Sequence, residues 1–179
     1  MRTKDQVVDK VRHYAASNRH TRLSFILQSD RGGEFRNRKM DVLCLERNIK
    51  QEFSAGYTPE QNNIIERIWR TLAGMTVAYL KGANLPMSYW VLAMSCAVYI
   101  LNRSSCKALD GMTPFEARYG YKPSWAHLRV FGCPCWVHVP KQNRRKMDSK
   151  VMAGTFVGYV EKNNSVIYKV ILEGGKKPV

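Results

Sequence analysis

Acidic residues are scarce in this sequence. Asp and Glu together number 14 against 29 Lys and Arg, which gives a formal net charge of +15 at pH 7. Like charges repel one another in a compact chain, and polyanions are the partners that relieve this repulsion. Charge alone does not separate a nucleic-acid enzyme from a ribosomal or a membrane-surface protein, so the class of partner has to come from motifs.

Long apolar runs and a secretory leader are also missing. The longest apolar stretch covers 89–101, which is shorter than the ~20 residues that a membrane span requires. The N-terminus is polar, and the five cysteines are an odd number at irregular spacing. We therefore expect an intracellular, reducing setting and no membrane partner. An apolar share of 45% is typical of a folded protein.

The first part of the chain has the pattern of an α/β unit. Helical spacing of apolar residues predicts helices over 4–17 and 37–47. A short apolar run over 23–27 is typical of a strand covered on both faces, and a second strand is predicted over 49–53. The predicted inward residues are Val7, Val8, Val11, Tyr14 and Ala15 in the first helix and Met40, Leu43 and Cys44 in the second.

Two longer helices follow. The stretch 58–72 reads TPEQNNIIERIWRTL and predicts a helix that ends at the Gly and Pro residues of 81–86. Its predicted apolar face comprises Ile64, Ile65, Ile68, Leu72, Met75 and Tyr79. Its polar side carries Glu66, Arg67 and Arg70. The next helix, over 87–102, is apolar nearly throughout and is expected to be buried.

The start of the helix that carries Glu66 has two interpretations. Thr58 with Pro59 forms one capping pattern, in which Pro occupies the first helical position. Asn63 and Glu66 have the spacing of an N-cap and its third helical residue, so Glu66 could instead cap the helix. Both interpretations stay open at the level of sequence.

After about residue 126 the residue pattern changes from helical spacing to short β-type runs. Four short runs are separated by polar loops, which is typical of a small barrel or sandwich. They read LRVFG, CWVHVP, GTFVGYV and VIYKVIL. Gly and Pro punctuation at 120–127 predicts the domain boundary there, between an α/β domain at 1–122 and an all-β domain at 126–179.

Two carboxylates stand where a metal site could form. Asp30 comes just past the carboxyl end of the predicted strand 23–27, the end at which α/β sheets bind ligands. Mg²⁺ takes hard oxygen ligands from one or two carboxylates plus phosphate and water, and a pair of ions can activate a nucleophile and stabilise the leaving oxygen. Asp30 and Glu66 are therefore candidate metal ligands and catalytic residues for phosphoryl transfer. The alternative for Asp30 is ordinary turn chemistry before two glycines.

Five blocks occur in a fixed order along the chain: LQSDRGGEF, YTPEQNNIIERIWRTL, LPMSYWVLAMSCAVYILNR, TPFEARYGYKP and HLRVFGCPCWVHVP. Together they resemble the integrase region of copia-type retrotransposon polyproteins, from about residue 20 to about residue 160. The resemblance implies an α/β fold with an incomplete ribonuclease-H-like core, followed by a small all-β SH3-like barrel.

The resemblance also implies an activity and its partners. The family integrates DNA by metal-dependent polynucleotidyl transfer, through an Asp, Asp, Glu triad that binds Mg²⁺ or Mn²⁺. The second Asp matches Asp30 and the Glu matches Glu66. The first Asp belongs to a strand that precedes the segment beginning at Met1, so we expect a core without its first strands. We also expect Val7, Val11 and Tyr14 to be short of partners, and no strand transfer by the chain alone. DNA, RNA as a second candidate, a homo-oligomer and a nuclear setting are implied in the same way.

Several basic residues are candidates for nucleic-acid contact. They are Arg31, Arg67, Arg70, Arg144, Arg145 and Lys146. Arg31 replaces the Asn that the family usually has after the second Asp, and it either weakens metal binding or adds a phosphate contact. The run 141–150, KQNRRKMDSK, is either a solvated loop or a phosphate-binding loop.

Two other groups of residues favour structural roles. Cys133, Cys135, His127 and His138 suggest zinc, but strand alternation places the two cysteines on one face and His138 on the other. The tryptophans Trp69, Trp90 and Trp125 are expected in the core rather than as platforms for bases.

Integrase chemistry has two rivals at this stage. One is a non-catalytic basic remnant of a transposable element that binds nucleic acid or protein. The other is a structural RNA-binding protein of ribosomal type, which the order of the blocks disfavours. Dependence on a divalent metal separates the enzyme from both.

Overall fold

The computed structural model of the chain describes residues 6–17, 26–30, 32–53, 59–162 and 165–173, with the side chains of 59–64 left aside. The chain divides into two compact units, Met1–Arg67 and Ile68–Val179, called unit 1 and unit 2 below. None of the helices in the described part is both long and apolar enough to cross a membrane.

Unit 1 alternates helices and strands. Its elements are α1 (Gln6–Ser17), β1 (Ile26–Ser29), α2 (Arg38–Arg47), β2 (Lys50–Phe53) and the first turns of α3 (Pro59–Gly82). Strands β1 and β2 pair in parallel, with Ile26 opposite Lys50 and Ser29 opposite Phe53. A parallel pair joined by a helix is the α/β unit that the sequence predicts.

The core of unit 1 lies between its helices and strands. It comprises Val7, Val8, Ala15, Met40, Leu43, Cys44 and Ile49. The predicted inward residues of α2 are thereby confirmed. The expectation that Val7 would lack partners is wrong, because it is buried in this cluster. Tyr14 and Ile26 are exposed, so the predictions of an inward Tyr14 and of a strand covered on both faces are wrong at these positions.

Helix α3 begins at Pro59, which confirms the capping interpretation that puts Pro at the first helical position. Glu66 lies two turns inside the helix, so it is not a capping residue. The predicted apolar face is wrong at Ile65 and Ile68, which are both exposed. Among the described side chains of the helix, those from residue 65 onward, the buried ones are Leu72, Thr76 and Leu80, at four-residue spacing.

Unit 2 combines helices with one antiparallel sheet. After α3 come α4 (Trp90–Leu101), the short α5 (Pro114–Tyr119) and the strands β3 (Pro134–His138), β4 (Val151–Lys162) and β5 (Ser165–Leu172). The strand order is β3-β4-β5, and both pairings are antiparallel. Three of the four predicted β-runs are strands. The fourth, 128–132, is a loop, in which Gly132 has a positive φ of 85°.

The core of unit 2 joins α4 to the sheet. It comprises Leu80, Ala93, Cys96, Phe131, Phe156, Val157 and Tyr159. Only one side of α4 is buried, because Trp90, Val91 and Val98 are exposed. The prediction of a fully buried helix is therefore wrong, and what is buried is a stripe of small residues.

The tryptophans lie at the surface. All four, which are Trp69, Trp90, Trp125 and Trp136, are between 47% and 73% exposed. The prediction that Trp69, Trp90 and Trp125 belong to the core is wrong. Small residues of α4 and the side chains of Phe131, Phe156 and Val157 fill the space between the helix and the sheet, and the large indoles are left outside.

The compact units divide at a different place from the predicted domains. The sequence places a boundary at 120–127, whereas α4 and α5 belong to the same compact unit as the sheet. Domains at 1–122 and 126–179 stay a prediction.

We expect Gly132→Ala to lower the free energy of unfolding by about 1–3 kcal/mol more than Gly111→Ala does. Both glycines have a positive φ, 85° and 86°, so the backbone strain of alanine is matched. A Cβ at Gly132 would lie 2.9 Å from Ala83 Cα, whereas nothing lies within 4 Å of one at Gly111. Urea unfolding followed by far-ultraviolet circular dichroism measures the difference, and equal losses in the two variants would contradict the steric account.

Candidate metal and nucleic-acid site

Asp30 directly follows β1 and is held in a tight turn. Its Oδ1 accepts a hydrogen bond from the backbone N–H of Gly32, at 3.0 Å. The Gly32 carbonyl in turn accepts from the N–H groups of Phe35 and Arg36, at 2.9 and 3.1 Å. The turn chemistry that the sequence offered as an alternative is therefore present, and it fixes where the Asp30 carboxylate stands.

Asn37 ties this turn to α2. Its side-chain oxygen accepts from the N–H of Met40 at 3.0 Å and caps the helix. Its Nδ2 donates to the carbonyls of Glu34 and Gly33, at 2.8 and 3.2 Å. From the other side, Gln51 of β2 donates to the carbonyl of Phe35 at 2.7 Å. The segment after Asp30 is thus anchored to both neighbouring elements.

Glu34 brings a second carboxylate to Asp30, and the sequence reasoning missed it. A Cβ placed on Gly32 would lie 2.9 Å from Glu34 Oε2 and 3.0 Å from Asp30 Oδ1, so both oxygens approach the same point. A side chain at position 32 would displace one or both of these carboxylates. The signal was present in the quoted motif, where Glu follows the two glycines.

Glu66 makes no hydrogen bond or ion pair with Asp30 or Glu34 among the described residues. It lies on an exposed stretch of α3, where 65–70 are all exposed. No hydrogen bond or ion pair among the described residues joins it to Asp30, and no cluster of three or more His, Cys, Asp or Glu forms there. The role of Glu66 stays a prediction.

The predicted nucleic-acid contacts fall at separate places. Arg31 lies outside the described residues. Arg67 and Arg70 are exposed on α3. Exposure makes these side chains accessible to a polyanion, but it does not by itself assign them one.

The basic loop after β3 forms a concave surface. Lys141, Arg144, Arg145 and Lys146 line a cavity of about 270 Å³. The Nε atom of Arg144 is buried and has no hydrogen-bond partner among the described residues. Asp148 closes the turn, since its Oδ2 accepts from the N–H of Arg145 at 2.7 Å. A buried donor without a partner is costly, and an anion such as phosphate would satisfy it.

The residues that suggested zinc have other surroundings. Strand β3 alternates as predicted, with Cys135 half-buried and His138 exposed. His127 is engaged elsewhere, because its Nε2 lies 2.7 Å from the hydroxyl of Tyr99. Burial raises the pKa of Tyr99 to about 12, and burial followed by the nearby Arg103 lowers the pKa of His127. The two shifts favour a neutral phenol and a neutral imidazole, and the tautomer of His127 decides which of them donates the hydrogen bond.

Known proteins similar to this chain are retroviral and retrotransposon proteins. Residues 133–177 match the family model described as the retroviral polymerase SH3-like domain. The chain is 36% identical over 161 residues to the retrovirus-related Pol polyprotein from transposon TNT 1-94 of Nicotiana tabacum, covering 89% of this chain and 12% of that protein. It is 37% identical over 133 residues to the corresponding polyprotein from transposon RE2 of Arabidopsis thaliana, covering 74% and 9%.

A solved structure extends the likeness to the fold. It is the simian T-cell lymphotropic virus intasome in complex with PP2A regulatory subunit B56 gamma, one chain of which superposes with a TM-score of 0.51. The alignment is 15% identical and covers 94% of this chain and 62% of that one. At this identity the likeness concerns the fold alone.

These matches show that the chain is similar to a segment of the retrovirus-related Pol polyproteins of transposons, and that it spans about a tenth of those relatives' length. The predicted resemblance to the integrase region of retrotransposon polyproteins is confirmed as a resemblance. The predicted fold class, an α/β integrase core followed by a small all-β SH3-like domain, is confirmed.

We expect Asn37→Ala to lower the free energy of unfolding by about 1–2 kcal/mol, because it removes the cap of α2 and the tether of the turn together. Asn37→Asp keeps an acceptor for the Met40 N–H and places a negative charge at a helix N-terminus, but it loses both donations from Nδ2. The free energy of unfolding should therefore fall clearly less in Asn37→Asp than in Asn37→Ala. Urea unfolding of the two variants measures the order, and an alanine variant as stable as the wild type would refute it.

Proposed function

We propose that this chain takes part in DNA integration, by binding DNA and by supplying carboxylates to metal-dependent polynucleotidyl transfer. The observation that carries the proposal is the pair of carboxylates, Asp30 and Glu34, whose oxygens approach one point at the end of a parallel strand. Two hard oxygen ligands suit Mg²⁺ or Mn²⁺, which complete their coordination with water and phosphate.

Hydrogen bonds of the protein position both residues of the pair. Asp30 is oriented by the Gly32 N–H, and Glu34 sits on the segment that Asn37 and Gln51 hold. We assign Glu66 to the same site on the family resemblance. A bound divalent ion would supply charge stabilisation to the phosphate undergoing transfer.

DNA binding rests on the basic surface rather than on a base-reading motif. The loop at 141–146 presents four cations around a cavity, and one of their buried donors lacks a partner among the described residues. Phosphate contacts of this kind hold a duplex without reading its sequence. This loop also supports the second candidate function, a basic nucleic-acid-binding module without chemistry, since it lies outside the compact unit that holds Asp30.

Two further parts of the proposal rest on the family resemblance alone. One is a nuclear place of action. The other is work as a homo-oligomer, with RNA as a further possible polyanionic partner.

The first test is the salt dependence of duplex binding. We expect log K to fall with log salt at a slope of about −0.9 for each phosphate neutralised. The double variant Arg144→Gln/Arg145→Gln should flatten that slope by about 2, because two phosphate contacts are lost. Fluorescence anisotropy of a labelled duplex at several salt concentrations gives the slopes.

The matched control removes two charges that already have acidic partners. Arg12 is paired with Asp9 at 3.3 Å and Lys50 with Glu52 at 2.8 Å. Arg12→Gln/Lys50→Gln carries the same net charge as the test variant, and its slope should stay close to that of the wild type. Equal flattening in both variants would show that only net charge matters and would exclude a built phosphate site.

The second test is metal binding. We expect Asp30→Asn and Glu34→Gln each to weaken Mn²⁺ binding about tenfold or more, since each removes a candidate ligand. Asp110→Asn removes an exposed carboxylate far from this turn in sequence and serves as the control. Water-proton relaxation in the presence of Mn²⁺ measures the affinities. Unchanged affinity in both test variants would leave the non-catalytic module as the better account.

A further inference from the structure

Unit 2 contains an open cavity that the proposed function does not use. Its volume is about 440 Å³, within the range of roughly 300–1,000 Å³ that is usual for small-molecule sites. Aromatic rings and charged groups line it together. The residues that matter for its chemistry are Phe115, Tyr119, Tyr121, Arg103, Glu161 and Lys162.

Three rings form a fixed aromatic wall. Phe115 lies 4.6 Å from Tyr119, tilted by 45°, and 5.3 Å from Tyr121, nearly perpendicular to it. The short helix α5 that carries the first two rings is capped at both ends. The Thr113 hydroxyl accepts from an N–H of its first turn, and Gly120 closes the helix in the left-handed conformation. Tyr119 is 47% exposed and Tyr121 61%, so the wall is accessible from solvent.

A cation of the protein already lies against two rings of the lining, those of Tyr99 and Phe115. The Arg103 guanidinium lies 3.5 Å from the centre of the Tyr99 ring and 4.7 Å from that of Phe115. Arg103 is also paired with Glu161, which neutralises the one acidic group of the lining. A cationic ligand such as a methylated lysine would therefore meet no free negative charge and would compete with a buried guanidinium.

The remaining charge around the cavity is positive. Lys162 lines it and has no acidic partner within the described ranges. The Arg118 guanidinium lies 5.4 Å from the centre of the Tyr119 ring. Flat exposed rings next to cations are the combination that binds single-stranded nucleic acid, because bases stack on the rings and phosphates meet the cations.

We propose that this cavity binds an unpaired nucleobase of a DNA strand, stacked on Tyr121 with the inclined ring of Tyr119 at its edge and with its phosphate beside Lys162. The inference rests on the proposed function, since it names the form of DNA that the protein would prefer. A base inside a duplex cannot stack on a side chain, so the cavity distinguishes frayed or overhanging ends from blunt ones.

The test compares two labelled duplexes of the same sequence, one blunt and one with a single-stranded overhang of a few nucleotides. We expect the wild-type full chain to bind the overhang duplex roughly tenfold more tightly, which is the usual scale of base–aromatic stacking. The ratio of the affinity for the overhang duplex to that for the blunt duplex should fall close to one in Tyr121→Leu. It should return in Tyr121→Phe, which restores the ring. Trp136→Leu removes an exposed aromatic outside the cavity and should keep the wild-type ratio.

The outcomes separate this inference from the proposed function. A ratio near one in the wild type, with salt-dependent duplex binding intact, overturns the inference and leaves DNA binding standing. No binding to either duplex overturns both. Loss of the ratio in Trp136→Leu, or a preference that only a ribonucleotide overhang produces, also overturns the assignment.

A second measurement needs no variant. An overhang carrying 5-iodouracil at the unpaired position is photo-crosslinked to the wild-type chain, and the modified peptide is identified by mass spectrometry. We expect the peptide that contains Tyr119 or Tyr121. Crosslinking elsewhere, or displacement of the overhang by a trimethyllysine peptide, would assign the cavity to another ligand.

Discussion

The close approach of α4 to β4 is the contact on which unit 2 depends. The fully buried residues of the helix are all small, namely Ala93, Cys96 and Ala97, and Tyr99 of the next turn stacks on Tyr159 of the strand. Phe156 and Val157 fill the space from the side of the strand. Burial raises the pKa of Cys96 to about 11, so this cysteine stays a neutral thiol and packs as a small apolar group. Close packing of apolar surface supplies most of the stabilisation that such a small sheet requires.

This approach also places a charge where it needs a partner. Arg103 follows α4 directly, is buried, and meets Glu161 near the end of β4. Because an unpaired buried charge is strongly destabilising, the ion pair fixes the relation between the end of the helix and the end of the strand. The rings of Tyr99 and Phe115 cover the guanidinium on both sides. The groups that hold this part of the fold together also line the cavity of unit 2. They are Arg103, Glu161, Tyr99 and Phe115.

The sequence predicts those features that depend on neighbours along the chain. Helix α2 follows from its stripe of inward residues, and Asp30 follows from its position after an apolar run. Features that depend on tertiary contact are missed. Helix α5 is only six residues long, too short to show a period. Glu34 approaches Asp30 only through the turn at Gly32, and burial of one side of α4 depends on β4, which begins 50 residues after the helix ends.

The surface position of every tryptophan has a spectroscopic consequence. Indoles that are already in contact with water emit at long wavelength in the native state, so their fluorescence changes little when the chain unfolds. The same indoles respond strongly to whatever lies against them. Tryptophan emission from this protein therefore reports on the occupancy of its surface, and changes in the amide region are the more faithful record of its folding.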